Sequence, residues 1–440
     1  MKGEFKMSVF SFIMSIFMFF ASLFLPKVPQ PAVPEITDDG FVPVMRFVAT
    51  SDTHINTMGD EGCERLTKLI RSAYAISDAD NDYKELDAMV FSGDITDNGF
   101  IGSFASFAAV TDSELREGTE RLGVVSKNHD SYTFLNNSLK IYTAFTGQET
   151  DFHRVINGFH FIGVSRSATL KQYTDEQVKW LDENLAAAVA ESPEKPVFVF
   201  QHEHVIDTVY GSSKEDGWGM DTFRAVLEKY PQAIHISGHS HFPANDPRAI
   251  WQDSFTAIND GGLAYFELAI DGKNGQFPEG YKSMTQALVV EVDAENRVLV
   301  RVLDVDKGVF VKEFLIDNVT QENKQKYNPE YRKQLAEAPF FEEGAELSVE
   351  RNRKKLTVSL PQAKVEGDNE VFAYRIEVTD ASGKTVHSSF VFSEYYFAER
   401  CETVKFDDFR LTGKGKYTVN VVAEDVWGNR SEALVTDIEI

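Results

Sequence analysis

Residues 44–54 read VMRFVATSDTH. An apolar run at 44–50 ends directly in a polar tetrapeptide, SDTH at 51–54. The same event recurs along the chain. Apolar runs at 86–92, 122–126, 197–201 and 233–237 lead into SGDITDNG (92–99), KNHD (127–130), QHEH (201–204) and GHSH (238–241), and a sixth run lies at 159–164. Amphipathic stretches sit between several of them. Residues 63–76 place Leu66, Leu69, Ile70 and Ala73 at helical spacing, and residues 174–190 place Val178, Leu181 and Leu185 likewise. Asp175 and Glu176 fall in the first turn of the second stretch, where the helix dipole favours acids. Strands alternating with helices predict an α/β layered core. Ligands of an open α/β sheet bind beyond the carboxyl ends of its strands, so the five motifs are expected along one edge.

The motifs carry six of the ten histidines. Together they offer carboxylate oxygen, imidazole nitrogen and one amide oxygen, without a thiolate. That donor set suits first-row metal ions such as Mn, Fe or Zn.

The ordered set D-x-H, GD, NH[DE], H, GH-x-H resembles the calcineurin-like metallophosphoesterase superfamily over residues ~46–316. YTDEQVKWLDENLA at 173–186 also resembles the helix that this family carries before its fourth motif. The resemblance implies a two-layer β sandwich flanked by helices that holds two metal ions. It implies Asp52, His54 and His241 as ligands of the first metal, Asn128, His202 and His239 as ligands of the second, and Asp94 as a bridge. It implies His129 as the non-ligand histidine beside the leaving group, with Asp130 orienting it. Lys127 stands where the family usually has Gly, without loss of a ligand. Asn98 stands where protein phosphatases have Arg, and Asp97 where purple acid phosphatases have a metal-binding Tyr, so neither a protein phosphatase nor a purple iron–tyrosinate site is expected. NHD-S-Y departs from the NHE-F-D of the nucleotidases. His204 is extra, with second-sphere support and plain surface exposure both open. His153, His160, His235 and His387 are read as structural. The loop 205–221, with Tyr210 and Trp218, reads as a pocket wall or a solvated loop, and Arg248 as a phosphate contact or an ion-pair partner.

The rest of the chain bounds the setting. Its 440 residues exceed one ordinary domain, and 44 Lys+Arg against 69 Asp+Glu give a net charge of −25. A surface that acidic excludes a general nucleic-acid binder and leaves a small-molecule phosphate ester as the expected partner. Two cysteines, Cys63 and Cys401, exclude a disulfide framework; one bridge or two thiols stay open. Residues 1–25 are expected to be a signal peptide or an N-terminal membrane anchor, because 7–25 carry no charge. Either reading places the chain outside the cytoplasm, secreted or membrane-attached. Residues 26–43 read as a Pro-rich tether, 44–317 as the phosphoesterase domain and 318–345 as a partly helical connector. Beyond about 346 the period becomes two, as in Phe372, Tyr374, Ile376 and Val378, which predicts an all-β sandwich over 346–440. Alternation, length and the VWGN ending resemble fibronectin type III or immunoglobulin-like modules, which implies a spacer or a surface that contacts another domain. The alternative function is a surface-attached binding protein whose phosphoesterase-like domain is inactive.

Overall fold

The structure is a computed structural model that describes residues 9–35, 40–131, 138–166, 172–320, 326–352, 355–411 and 413–440. Parts of the expected leader (1–8), tether (36–39) and connector (321–325) lie outside the described residues. The chain divides into two compact units, residues 1–245 with 249–327, and residues 246–248 with 328–440.

The first unit is built on two six-stranded sheets. One has the order Val309–Ile316, Val298–Asp304, Gln286–Asp293, Pro43–Thr50, Ala88–Phe91, Glu120–Gly123. The other has the order Ile250–Gln252, Thr256–Asn259, Ala233–Ser237, Val197–Phe200, Phe159–Gly163, Phe152–Ile156. Alternation within Pro43–Thr50 shows how the layers arise. Phe47 and Ala49 face the other sheet and join a core with Phe161, Phe198, Phe200 and Ile234. The Phe47 ring sits 5.0 Å from Phe161 and 4.8 Å from Phe198, edge to face. Val48 faces outward into a second core with Leu66, Leu69, Ile70, Phe104 and Phe107 from helices Glu61–Ala79 and Ile101–Glu114. A strand covered on both faces has no polar side, so it reads as a near-continuous apolar run, interrupted here by the ion-paired Arg46, that stops where the cover stops.

Helix Asp175–Glu191 covers the outer face of the second sheet through Leu181, Leu185 and Ala188. Thr174 and Gln177 close a reciprocal capping box at its start. Helix Ile101–Glu114 has no counterpart in the sequence reading. Residues 103–111 are all buried, so an apolar face never alternates with a polar one, and the period of 3.6 is hidden. The expected two-layer α/β sandwich with flanking helices is thus the architecture found.

Near the N-terminus, helix Val9–Leu23 buries Met14 and Ala21 in the helix-side core, while Phe12, Phe19, Phe20 and Leu23 are exposed. Among the described residues, no helix is long and apolar enough to cross a membrane.

The second unit begins with the short helix Pro329–Leu335, capped by Asn328. An antiparallel three-stranded sheet (Ser348–Asn352, Lys355–Pro361, Thr403–Arg410) and a four-stranded one (Thr385–Phe392, Val371–Asp380, Lys416–Asp425, Leu434–Glu439) follow. Leu356, Val358, Tyr374, Ile376, Val419 and Val421 point into their shared core at period two. Cys63 and Cys401 are free thiols, the first buried and the second exposed.

Candidate metal centre

The five motifs follow strands Pro43–Thr50, Ala88–Phe91, Glu120–Gly123, Val197–Phe200 and Ala233–Ser237. The strand ends are stitched together by backbone bonds: Asp52 N–H donates to the Gly93 carbonyl (3.0 Å) and His54 N–H to that of Asp94 (3.2 Å). Asp52, His54, Asp94, His239 and His241 all have positive φ, between 46° and 74°. Ten non-glycine residues among those described do so, and half of them are expected ligands. Backbone held there against its steric preference concentrates at functional sites. Two glycines permit the approach. A Cβ on Gly93 would lie 2.7 Å from His202, and one on Gly238 would strike Ser51 and Asp52.

The side chains gather into overlapping groups with donor atoms within 4.8 Å: Asp52, His54 and His241; Asp94, His202 and His239; and His54, Asp94 and His129. Six of the seven expected ligands therefore converge, and Asp94 belongs to two of the groups. Asn128 occupies the loop between Ser126 and His129. The Ser126 hydroxyl and the His129 N–H (3.2 Å) both donate to Asp94 Oδ1.

The hydrogen bonds show what this cluster lacks. His202 Nδ1 meets the Ser92 carbonyl at 2.9 Å, and His241 Nδ1 meets that of Tyr265 at 3.1 Å. A carbonyl only accepts, so each ring carries its proton at Nδ1 and turns the other nitrogen inward. There His202 Nε2 faces Asp94 Oδ2 at 3.1 Å, and His241 Nε2 faces Asp52 Oδ1 at 3.1 Å. Lone pairs face lone pairs. Asp52 Oδ1, His202 Nε2 and His239 Nδ1 are buried without a hydrogen-bond partner. Only cations or extra protons reconcile such atoms, and imidazoles held from behind by acceptors are the usual form of metal-binding histidines.

The proton affinities agree. Burial works against charge on His54, yet Asp52, Asp97 and Asp94 raise its pKa to about 10. Burial likewise opposes charge on His202, and Asp94 raises it well above the ordinary value. Burial would raise the Asp52 carboxyl, but His241 and His54 hold it well below the usual range. Burial and then His202 push His239 down to about 4. The residues fit two cations, which would replace these protons.

His129 lies against His54, ring centroids 4.3 Å apart and edge to face. Its Nδ1 is 3.0 Å from the Asp97 carbonyl oxygen and 3.4 Å from Asp97 Oδ1. Asp97 Oδ1 is also 3.3 Å from His54 Nδ1. This corrects the expected role of Asp130. Asp130 is buried with its carboxylate on the Thr96 N–H (2.7 Å), the Thr96 hydroxyl (3.0 Å) and the Ser126 N–H (3.0 Å). It fastens two motif loops together, and Asp97 is the acid at the His129 ring.

Other outcomes follow from packing. His204 is fully buried, with Nδ1 on the Ser237 hydroxyl and Nε2 on the Ser240 hydroxyl, both at 2.8 Å, so it braces the GHSH turn from within. Trp218 of the loop after QHEH abuts His239, centroids 4.9 Å apart, which makes that loop a wall of the site. Arg248 is engaged by Asp246 through Nε (2.9 Å) and Nη2 (2.7 Å), the ion-pair alternative of its two readings. Two neighbours carried no signal in the sequence. The Ser51 hydroxyl bridges the carboxyls of Asp52 and buried Asp260 (2.6 Å to Asp260 Oδ1); burial, opposed by Ser51 and assisted by Asp52, raises Asp260 to about 7. Tyr265 stacks on His241 with centroids 4.0 Å apart.

Residues 45–243 match the family described as calcineurin-like phosphoesterase. Over 213 residues the chain is 29% identical to a probable cyclic nucleotide phosphodiesterase of Ruthia magnifica subsp. Calyptogena magnifica, covering 46% of this chain and 80% of that protein. Over 210 residues it is 27% identical to a probable glycerophosphodiester phosphodiesterase of Arcobacter nitrofigilis, covering 45% and 72%. Among solved structures, a purple acid phosphatase from yellow lupin (Lupinus luteus) aligns with TM-score 0.44 and 13% identity, over 65% of this chain and 55% of that one.

Proposed function

We propose that this chain is a metal-dependent phosphoric ester hydrolase of the calcineurin-like kind that cleaves small-molecule phosphodiesters outside the cytoplasm, a reading supported by the family match over residues 45–243 and by the two phosphodiesterase relatives. The observation that carries the hydrolytic part is the pair of buried donor groups that share Asp94. The diester preference is supported by the names of the two relatives, both phosphodiesterases. Export is supported by the uncharged stretch 7–25 and the apolar surface of helix Val9–Leu23.

Asp52, His54, His241 and Asp94 would hold one cation; Asp94, Asn128, His202 and His239 would hold the other. Bound there, first-row ions supply positive charge for phosphoryl oxygens and acidify a water. The chain's own groups do the rest. Ser92 and Tyr265 carbonyls, with Asp97, hold the outer nitrogens of His202, His241 and His54 and leave the inner ones as donors for cations. His129 is anchored through Nδ1 by Asp97, and Nε2 is the nitrogen at which it carries the proton for the leaving oxygen. Trp218 and Tyr265 flank the centre and limit the entry of water. The second unit serves as a spacer or a contact surface.

The test is metal analysis of purified protein, then hydrolysis of bis(p-nitrophenyl) phosphate and p-nitrophenyl phosphate after chelation and reloading with Mn, Fe or Zn. The diester should be the faster substrate. Faster monoester cleavage refutes the preference, and absence of turnover with every ion would favour an inactive binding protein. Cell fractionation tests the export.

A further inference from the structure

Beyond the metal ligands, aromatic side chains continue outward from the site on one side. Tyr265 stacks on His241 at 17° between planes. Phe277 and Tyr281 lie beyond it, with centroids 6.0 Å and 6.2 Å from Tyr265 and 5.1 Å from each other. Phe277 is 54% exposed. Contiguous apolar surface joined to a polar site marks a place where a ligand lies.

The shelf is held from beneath. Arg65, buried in helix Glu61–Ala79, donates to the Ala264 carbonyl and to that of Lys282 (2.7 Å), so one guanidinium ties down the residues next to Tyr265 and Tyr281. The Phe266 N–H donates to the Tyr281 carbonyl (2.9 Å) and joins the two segments directly. A surface fixed before the ligand arrives loses little entropy on binding.

The shelf and His129 share a neighbour: the His129 and Tyr265 rings both lie against His54, with centroids 4.3 Å and 6.0 Å from it. A leaving group whose oxygen reaches His129 would have the Tyr265 ring one imidazole away. Resting on the phosphodiester reading above, we propose that Tyr265, Phe277 and Tyr281 form a stacking subsite for a planar aromatic group on the leaving-group side of the ester. A nucleobase and a simple aryl group share that chemistry.

The experiment compares methyl phosphodiesters of three primary alcohols on the metal-loaded full chain: ethanol, 2-naphthylmethanol and adenosine through its 5′-oxygen. Release of each alcohol is followed by chromatography. Stacking should raise kcat/KM for the two aromatic esters over the ethyl ester by about tenfold or more. Phe277→Ala and Tyr281→Leu should each cut that ratio by about three- to tenfold. Adenosine ahead of naphthylmethyl identifies a nucleobase as the matched group, and the reverse order identifies an aryl group. An aromatic-to-ethyl ratio near one, or a ratio that neither variant changes, overturns the subsite. Absence of metal-dependent turnover on all three esters overturns the diesterase reading and the subsite with it.

Discussion

Replacing Asp97 by asparagine removes one charge and almost no volume from a side chain that touches two histidines of the site. Asp97 Oδ1 lies 3.3 Å from His54 Nδ1 and 3.4 Å from His129 Nδ1. The bond to His54 is the main reason its own carboxyl sits below the usual range. Acids behind metal-binding histidines orient the ring and raise its basicity, and their loss costs about 10–100-fold in metal affinity or activity. The Asp97 side chain is 41% exposed, and water weakens its charge, so the low end applies. Asp97→Asn should therefore weaken one metal about tenfold, with Asp97→Ala nearer the upper end. A chelator-competition titration with elemental analysis reads the affinity, and turnover of esters with poor and good leaving groups reads the effect on His129. Asp130→Asn is the control. Its carboxylate serves Thr96 and Ser126, so the change should cost ~1–3 kcal/mol of stability through a buried donor left unpaired. If Asp130→Asn weakens the metal while Asp97→Asn does not, the assignment of the two acids is wrong.

Asp94→Ala should lose metal and activity together, because Asp94 belongs to both donor groups. His129→Ala should keep both ions and slow esters of poor leaving groups by about 10²–10⁴-fold, with a smaller loss for nitrophenyl esters; a missing ion by elemental analysis would show that His129 is itself a ligand. Arg46 is buried between Asp80 and Glu291, so Arg46→Met should lower stability by ~3–5 kcal/mol in urea unfolding, and a loss below ~1 kcal/mol would contradict the pairing. His235 is buried with neither ring nitrogen bonded, and burial lowers it to about 3. The unfolded chain takes up a proton that the folded chain refuses. Its contribution is thus intact above the ordinary value of 6.5 and is lost as pH falls from there towards about 3. His235→Leu should flatten that acid limb by up to ~1.4 kcal/mol per pH unit, read from urea midpoints against pH.

The strand ends and their motifs were legible in the linear chain for a physical reason. Central strands covered on both faces, such as Pro43–Thr50, are apolar apart from an ion-paired residue such as Arg46, and chemistry begins where the cover ends. The motifs there, through the family they resemble, point to Asp52, His54, Asp94, His202, His239 and His241, which the structure gathers, and the Thr174–Gln177 capping box marks a helix start just as locally. The period of two in Val371–Asp380 likewise records a strand with one covered face. What the chain order could not decide is which loops meet. Asp97 and Asp130 lie three residues apart from their motif aspartate and next to His129 respectively, yet the remote one reaches the ring and the adjacent one turns inward to Thr96. Asp260 and Tyr265 sit in a segment without a motif, and they reach Ser51 and His241 only because Thr256–Asn259 pairs beside Ala233–Ser237. Helix Ile101–Glu114 hid because it is buried along most of its length, which erases the polar face that a periodic pattern needs. Local periodicity is set by each segment's own cover and is written in its residues. The partners of a side chain are set by distances between strands far apart in the chain, and those exist only after the two sheets have packed.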